Sequence, residues 1–122
     1  MIELIGKNVP SSKNSKRWVG NRLIKSKLCL DYEQWALPLL IKQKRKWEKE
    51  KEDKEKPLKV SFYFYRDSKR KFDANNVTQI LCDLMTKVGY IPDDNVDEMI
   101  PVFEGYEVVK KPESGVKFKI IN

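Results

Sequence analysis

Two apolar patterns of different period stand close together in this chain, and between them they leave few folds open. Val77, Ile80, Leu81, Leu84, Met85 and Val88 follow the i, i+3, i+4, i+7, i+8, i+11 template without a break, which gathers all six on one helical face. The spacing predicts a helix over 75–88, stopped by Gly89, since glycine accepts the left-handed backbone that ends helices. Upstream, Leu58, Val60, Phe62 and Phe64 alternate with Lys59, Ser61, Tyr63 and Tyr65, the period of a strand with its apolar set turned to a core. The strand's other face is aromatic and basic. The two apolar faces have to cover each other, which predicts a mixed β-sheet with packed helices, α/β or α+β. A length of 122 residues leaves room for one domain, 1–122.

The remaining segments supply the rest of such a domain. Ile2, Leu4 and Ile5 open a short strand, and the stretch 9–15 (VPSSKNS) is turn-rich. Arg17-Trp18-Val19 and Arg22-Leu23-Ile24 flank Gly20-Asn21 and read as a hairpin. Tyr32, Trp35, Ala36, Leu39 and Leu40 recur at helical intervals within a helix over about 30–56, and Pro38 is expected to kink it or end its first part. The tract over about 42–57, KQKRKWEKEKEDKEKP, carries i,i+4 pairs such as Lys46/Glu50 and Glu52/Lys56. It reads as a solvated helix extension or a frayed loop. Further on come a turn at 92–95, a strand over 96–103, a loop over 110–115 and a last strand bearing Val116, Phe118 and Ile120.

Composition narrows the chemistry. The chain has no histidine, which removes Ser/His/Asp and Cys/His nucleophiles, His-ligated zinc and any imidazole general base. Cys29 and Cys82 lack CxxC spacing and read as reduced thiols of a cytoplasmic protein. The longest uncharged apolar run, Trp35 to Ile41, is seven residues and contains Pro38, far short of a membrane span. Met1 to Val9 carries Glu3 and no long hydrophobic stretch, so no secretory leader is expected. The net charge of +7 is unevenly spread: residues 1–72 hold 20 Lys/Arg against 9 Asp/Glu, and residues 73–122 hold 5 against 9. A basic half suits a polyanion, and an acidic half concentrates cations.

The acids have an order of their own. Asn76, Gln79 and Asp83 project along one edge of the predicted helix, with Asp73 near the same edge, and Asp93 and Asp94 follow the turn at Gly89. A hard divalent ion such as Mg²⁺ takes oxygen ligands, usually one or two of them protein carboxylates. Each residue also has a plainer explanation: Asp73, Asn75 and Asn76 suit a helix start, and Asp93-Asp94-Asn95 suits a turn. Asp93, Asn95, Asp97 and Glu104 match four EF-hand offsets, but Glu98 stands where that loop requires glycine and Pro101 interrupts it, which excludes it. The cationic run RDSKRK at 66–71 changes the balance, because cutting a phosphodiester needs acids for metal and bases for phosphate side by side.

PSSKN at 10–14, KFDANN at 71–76, Asp83, Gly89 and PDDN at 92–95 resemble the RusA-type Holliday junction resolvases of bacteria and their phages, over nearly the whole chain. The resemblance implies a small mixed α/β subunit forming a homodimer, Mg²⁺ or Mn²⁺ held by aspartates, and symmetric cleavage of four-way DNA junctions in recombination and repair. It implies a place in the cytoplasm of a bacterial or phage-infected cell. By the same resemblance Asp73 and Asp94 are the principal metal-binding and catalytic residues, supported by Asp83 or Asp93, while Asn76 matches the signature asparagine. Lys13, Lys16, Arg17, Arg66, Lys69, Arg70 and Lys71 are the expected DNA-backbone contacts. Two catalytic positions depart from the pattern: Asn75 stands where the signature has an aspartate, and Gln79 where it has a lysine. Asn75 keeps an oxygen ligand but loses a charge. Gln79 can donate to a phosphate oxygen but cannot neutralise developing charge.

Overall fold

The computed structural model describes residues 1–11, 16–20 and 22–122. In chain order it contains β1 (Ile2–Ile5), β2 (Lys16–Val19), β3 (Arg22–Lys25), α1 (Lys27–Lys51), β4 (Leu58–Arg66), α2 (Ala74–Lys87), β5 (Met99–Val108), a short 3₁₀ turn (Lys111–Glu113) and β6 (Gly115–Ile120). Four strands form one mixed sheet in the order β1-β6-β4-β5, and β2 and β3 form a separate antiparallel hairpin. Gly20 has φ +62° at the hairpin's tip, a conformation that costs glycine little. β4 pairs parallel with β5 and antiparallel with β6. The expected mixed sheet with packed helices is what the chain forms.

β4 and α2 meet as their periods require. Val60, Phe62 and Phe64 on β4 are fully buried, as are Val77, Leu81 and Met85 on α2 to within 1 %. Phe62, Phe64 and Phe118 form a continuous aromatic layer, with ring centroids 6.5 and 5.2 Å apart. α2 starts one residue earlier than its apolar pattern indicates, with Asp73 as its N-cap.

α1 departs from expectation in two ways. The helix runs through Pro38, so the proline does not end it, and Pro38 itself is exposed. The charged tract is no frayed loop at Trp47, which is fully buried. Its indole Nε1 donates to the Tyr90 carbonyl at 2.9 Å and its ring stacks on Tyr90 at 5.2 Å. The Tyr90 hydroxyl in turn donates to the Leu40 carbonyl. Lys87 on α2 also pairs with the buried Glu33 on α1. Trp47→Ala is therefore expected to cost about 3–5 kcal/mol in denaturant unfolding. Its exposed neighbour Lys46, replaced by Ala, should shift stability by less than about 0.5 kcal/mol.

β5 differs most from its expected range of 96–103. It starts at Met99 because the preceding residues are taken up in the Asn95 turn, where the Glu98 and Met99 amides donate to the Asn95 carbonyl, each at 3.1 Å. It runs on to Val108 because the register shifts between Phe62/Phe103 and Tyr63/Gly105. That bulge breaks the period-two alternation that would have marked the strand's second half.

Candidate functional site

The site is built along α2 and the turn that follows it. Phe72 fixes the approach to the helix, lying 6.4 Å from Phe64, 6.3 Å from Phe103 and 5.0 Å from Tyr106 between ring centroids. The next residue, Asp73, accepts a hydrogen bond from the Asn75 amide at 2.8 Å. This is N-capping, and it satisfies one of the helix's orphan donors. An open cleft of about 540 Å³ lies beside it, lined by Ser11, Lys71, Phe72, Asp73 and Ala74. Pro10 and Ser11, the start of the PSSKN stretch, are thus brought to the head of α2.

One and a half turns on, the Gln79 side-chain amide donates from one nitrogen to two carboxylates, Asp83 Oδ1 at 2.8 Å and Asp94 Oδ2 at 3.0 Å. Asp83 is within reach because i and i+4 share a helix face. Asp94 arrives because Tyr90 and Ile91 are buried just ahead of it and anchor the returning chain. Asp93 serves the turn itself: its carboxylate accepts from the Asp94 amide at 2.8 Å and from Asn95 Nδ2 at 3.1 Å. Those donors hold the Asp93 carboxyl below the usual aspartate range. The turn hydrogen bonds that Asp93 makes are thus strongest above the ordinary aspartate pKa, and they weaken as pH falls through its lowered value.

Asp83 and Asp94 therefore converge on Gln79, whereas Asp73 lies about 9 Å nearer the helix start by helical rise. Among the described residues, no three of His, Cys, Asp and Glu are grouped closely enough to hold a metal by themselves. The donors that do meet are two carboxylates and a carboxamide. Their hard-oxygen chemistry fits a small divalent cation, which takes one or two protein carboxylates and completes its shell with water and phosphate. Behind them lies the buried Cys82, whose thiol is pushed up to about 12, first by burial and then by the nearby charges of Asp94 and Asp83. Neither Cys29 nor Cys82 is in a disulfide, and both are buried.

The cationic residues divide. Lys69, Arg70 and Lys71 are exposed; Lys71 lines the cleft at Asp73, and Arg70 and Lys71 line a second one of about 410 Å³ over Arg66. Arg66, expected among the DNA contacts, is instead buried at 6 % exposure, donating to the Val9 carbonyl and lying 4.5 Å over the Phe72 ring. It is the last residue of β4 and falls on the core face by strand alternation, so it props the loop up from beneath. Lys13 lies outside the described residues. Lys16 and Arg17 belong to β2, and their side chains lie outside those described. Asn75 is exposed and Asn76 half-buried at the helix start. The Gln79 bridge was the feature sequence reasoning missed, although the i,i+4 spacing of Gln79 and Asp83 signals half of it.

Residues 6–120 match the family model of Endodeoxyribonuclease RusA, which places the chain among the DNA endonucleases. The chain belongs to the RusA family, a family of Holliday junction resolvases that bind branched DNA and generally depend on divalent metals. A search of curated proteins finds no match to it. Among the described residues no helix is long and apolar enough to cross a membrane.

The division of the cations is testable. Arg66→Ala should cost about 2–4 kcal/mol in chemical denaturation, through lost packing and an unsatisfied buried carbonyl. Lys69→Ala and Arg70→Ala should leave stability within about 0.5 kcal/mol, and each should lower the salt slope of DNA binding by about one.

Proposed function

We propose that this chain is a divalent-cation-dependent endodeoxyribonuclease that binds four-way junctions and, as a homodimer, cuts two opposing strands symmetrically. The observation that carries the reading is the convergence of Asp83 and Asp94 on Gln79, within the family-matched span and on the same helix that Asp73 caps. Asp94 and Asp83, with the Gln79 carboxamide oxygen turned inward and Asp73 toward the helix start, would hold Mg²⁺ or Mn²⁺. Such an ion supplies Lewis acidity and lowers the pKa of a bound water. Lys69, Arg70 and Lys71 hold the DNA backbone along the cleft, and the N-terminus of α2 adds its partial positive charge there. Asp93 keeps the turn that presents Asp94. The cytoplasm of a bacterial or phage-infected cell suits this activity.

Gln79 also favours a second reading, a branched-DNA-binding protein with reduced cleavage. Its amide nitrogen donates to both carboxylates, so a cation has to displace those hydrogen bonds, and with Asn75 in place of an aspartate there is less negative charge to attract it. Incubating a labelled four-way junction and a linear duplex with Mg²⁺ separates the readings. Paired nicks in the junction alone support the nuclease, tight junction binding without nicks supports the second reading, and neither outcome rejects both. Asp94→Asn and Asp73→Asn should each lower nicking by about 10²-fold or more while binding the junction as tightly or tighter. Undiminished nicking in those variants would remove the site assignment.

A further inference from the structure

The bulge in β5 turns two aromatic rings to the same side of the sheet. Residues 103 and 106 lie an odd number of positions apart, so in an unbroken strand they would point to opposite faces. With Glu104 inserted, Phe103 pairs with Phe62 and Tyr106 with Phe64, and both rings join those residues on the face that the helices cover. β5 is an edge strand, and there the cover runs out: Phe103 is 42 % exposed and Tyr106 52 %. Their inner sides are fixed. Phe103 stacks on the buried Phe64 at 5.8 Å, and Tyr106 meets Phe72 edge to face at 5.0 Å, with the Arg66 guanidinium over the Phe72 ring. Val108, two residues on and on the same face, is exposed as well.

Two features of the surroundings select what lies on these rings. The first is continuity: Phe72 also lines the cleft at Asp73, so the rings adjoin that cleft through it. The second is charge. β4 and β5 end side by side at Arg66 and Val108, and the stretches that leave them, 67–71 and 109–113, hold five exposed cations against Asp67 and Glu113. Glu104 and Glu107 turn to the other face, toward Ser61 and Tyr63. An apolar protein partner would have to desolvate those cations. Exposed rings set among cations suit a single-stranded stretch of nucleic acid, whose bases stack on the aromatic faces while the cations hold its phosphates. A base inside a continuous duplex has to leave its stack to reach such a ring, and the cost is least where the stack is already interrupted. The branch point of a junction is such a place.

We propose that Phe103 and Tyr106, backed by Phe64 and Phe72, form a shelf on which an unstacked base at the branch point of a DNA junction lies, while the cations beside it hold the adjoining phosphates. This rests on the junction binding of the proposed function and supplies a source of its selectivity: a linear duplex meets the cations without using the rings.

The test compares binding of a labelled four-way junction and of a linear duplex of the same arm sequence, in EDTA so that nothing is cut, by the full chain as wild type, F103L, Y106L and Y106W. Leucine keeps an apolar side chain against Phe64 or Phe72 but has no ring face, and circular dichroism confirms each fold. F103L and Y106L should each bind the junction about tenfold more weakly and the duplex within about twofold of wild type. The salt slope of junction binding should not change, because no cation is lost. Y106W should bind the junction as wild type does. Leucine variants that bind the junction like wild type, that lose junction and duplex equally, or that are not rescued by tryptophan would overturn the proposal. So would leucine variants that sediment at a lower mass than wild type, which would assign the rings to a contact between protein chains. Junction nicking by the wild type in Mg²⁺, measured alongside, keeps the two questions apart: nicking with ring-independent binding removes only the shelf, ring-dependent binding without nicking removes only the nuclease, and a wild type that binds no junction removes both.

Discussion

Covering one face of β4 is the constraint on which the remaining structure hangs. Val60, Phe62 and Phe64 have no solvent exposure, and fully burying three such side chains is worth roughly 1.5–3 kcal/mol each. α1 and α2 both bury apolar residues in the core that β4 joins, and burying the α2 stripe fixes the rotation of the helix and so the edge on which Gln79 and Asp83 stand. The returning chain is then bound by Tyr90, locked beneath Trp47 of α1, and Asp94 is delivered four residues later. The proposed site is thus assembled from polar residues whose positions are dictated by apolar ones.

The electrostatics follow from this placement. Two carboxylates brought to one amide nitrogen repel each other, and the Gln79 hydrogen bonds offset part of that repulsion without adding charge. A point between two anions that holds only a neutral donor is a place a small cation can take over. The cost is the breaking of two exposed hydrogen bonds, on the order of 1 kcal/mol each. Burial raises the thiol of Cys82 behind the two carboxylates, and their negative charges add to that rise. Positive charge lies before the start of the helix, on Lys69, Arg70 and Lys71, and the acids Asp83 and Asp94 meet further along it.

Much of this was legible in the sequence, because α2 and β4 declare themselves by unbroken periods and the hairpin by its Gly20-Asn21 turn. Where the reading failed, two physical effects competed in the same residues. Trp47 sits among twelve charged side chains within 44–56, which mask the Ala36, Leu40 and Trp47 spacing that carries α1 along the core. The bulge at Glu104 and Gly105 breaks the alternation that would have extended β5. Arg66 belongs by composition to the cationic run but by strand register to the core, and register wins because β4 continues to that residue. Asp73 matched both a cap and a metal ligand, and its carboxylate is engaged as a cap. The meeting of Asp83 with Asp94 depends on the course of the ten residues between them, a distance over which spacing alone says nothing.

Paramagnetic broadening by Mn²⁺ in a nitrogen-15 spectrum of the full chain tests most directly whether these oxygens form a cation site. The account requires the Gln79 side-chain amide and the backbone amides of Asp83 and Asp94 to broaden at the lowest Mn²⁺ added, ahead of the acid-rich stretch 48–55 and of Glu104 and Glu107. Broadening that begins at those other acids, or that leaves Gln79 sharp throughout, would contradict it.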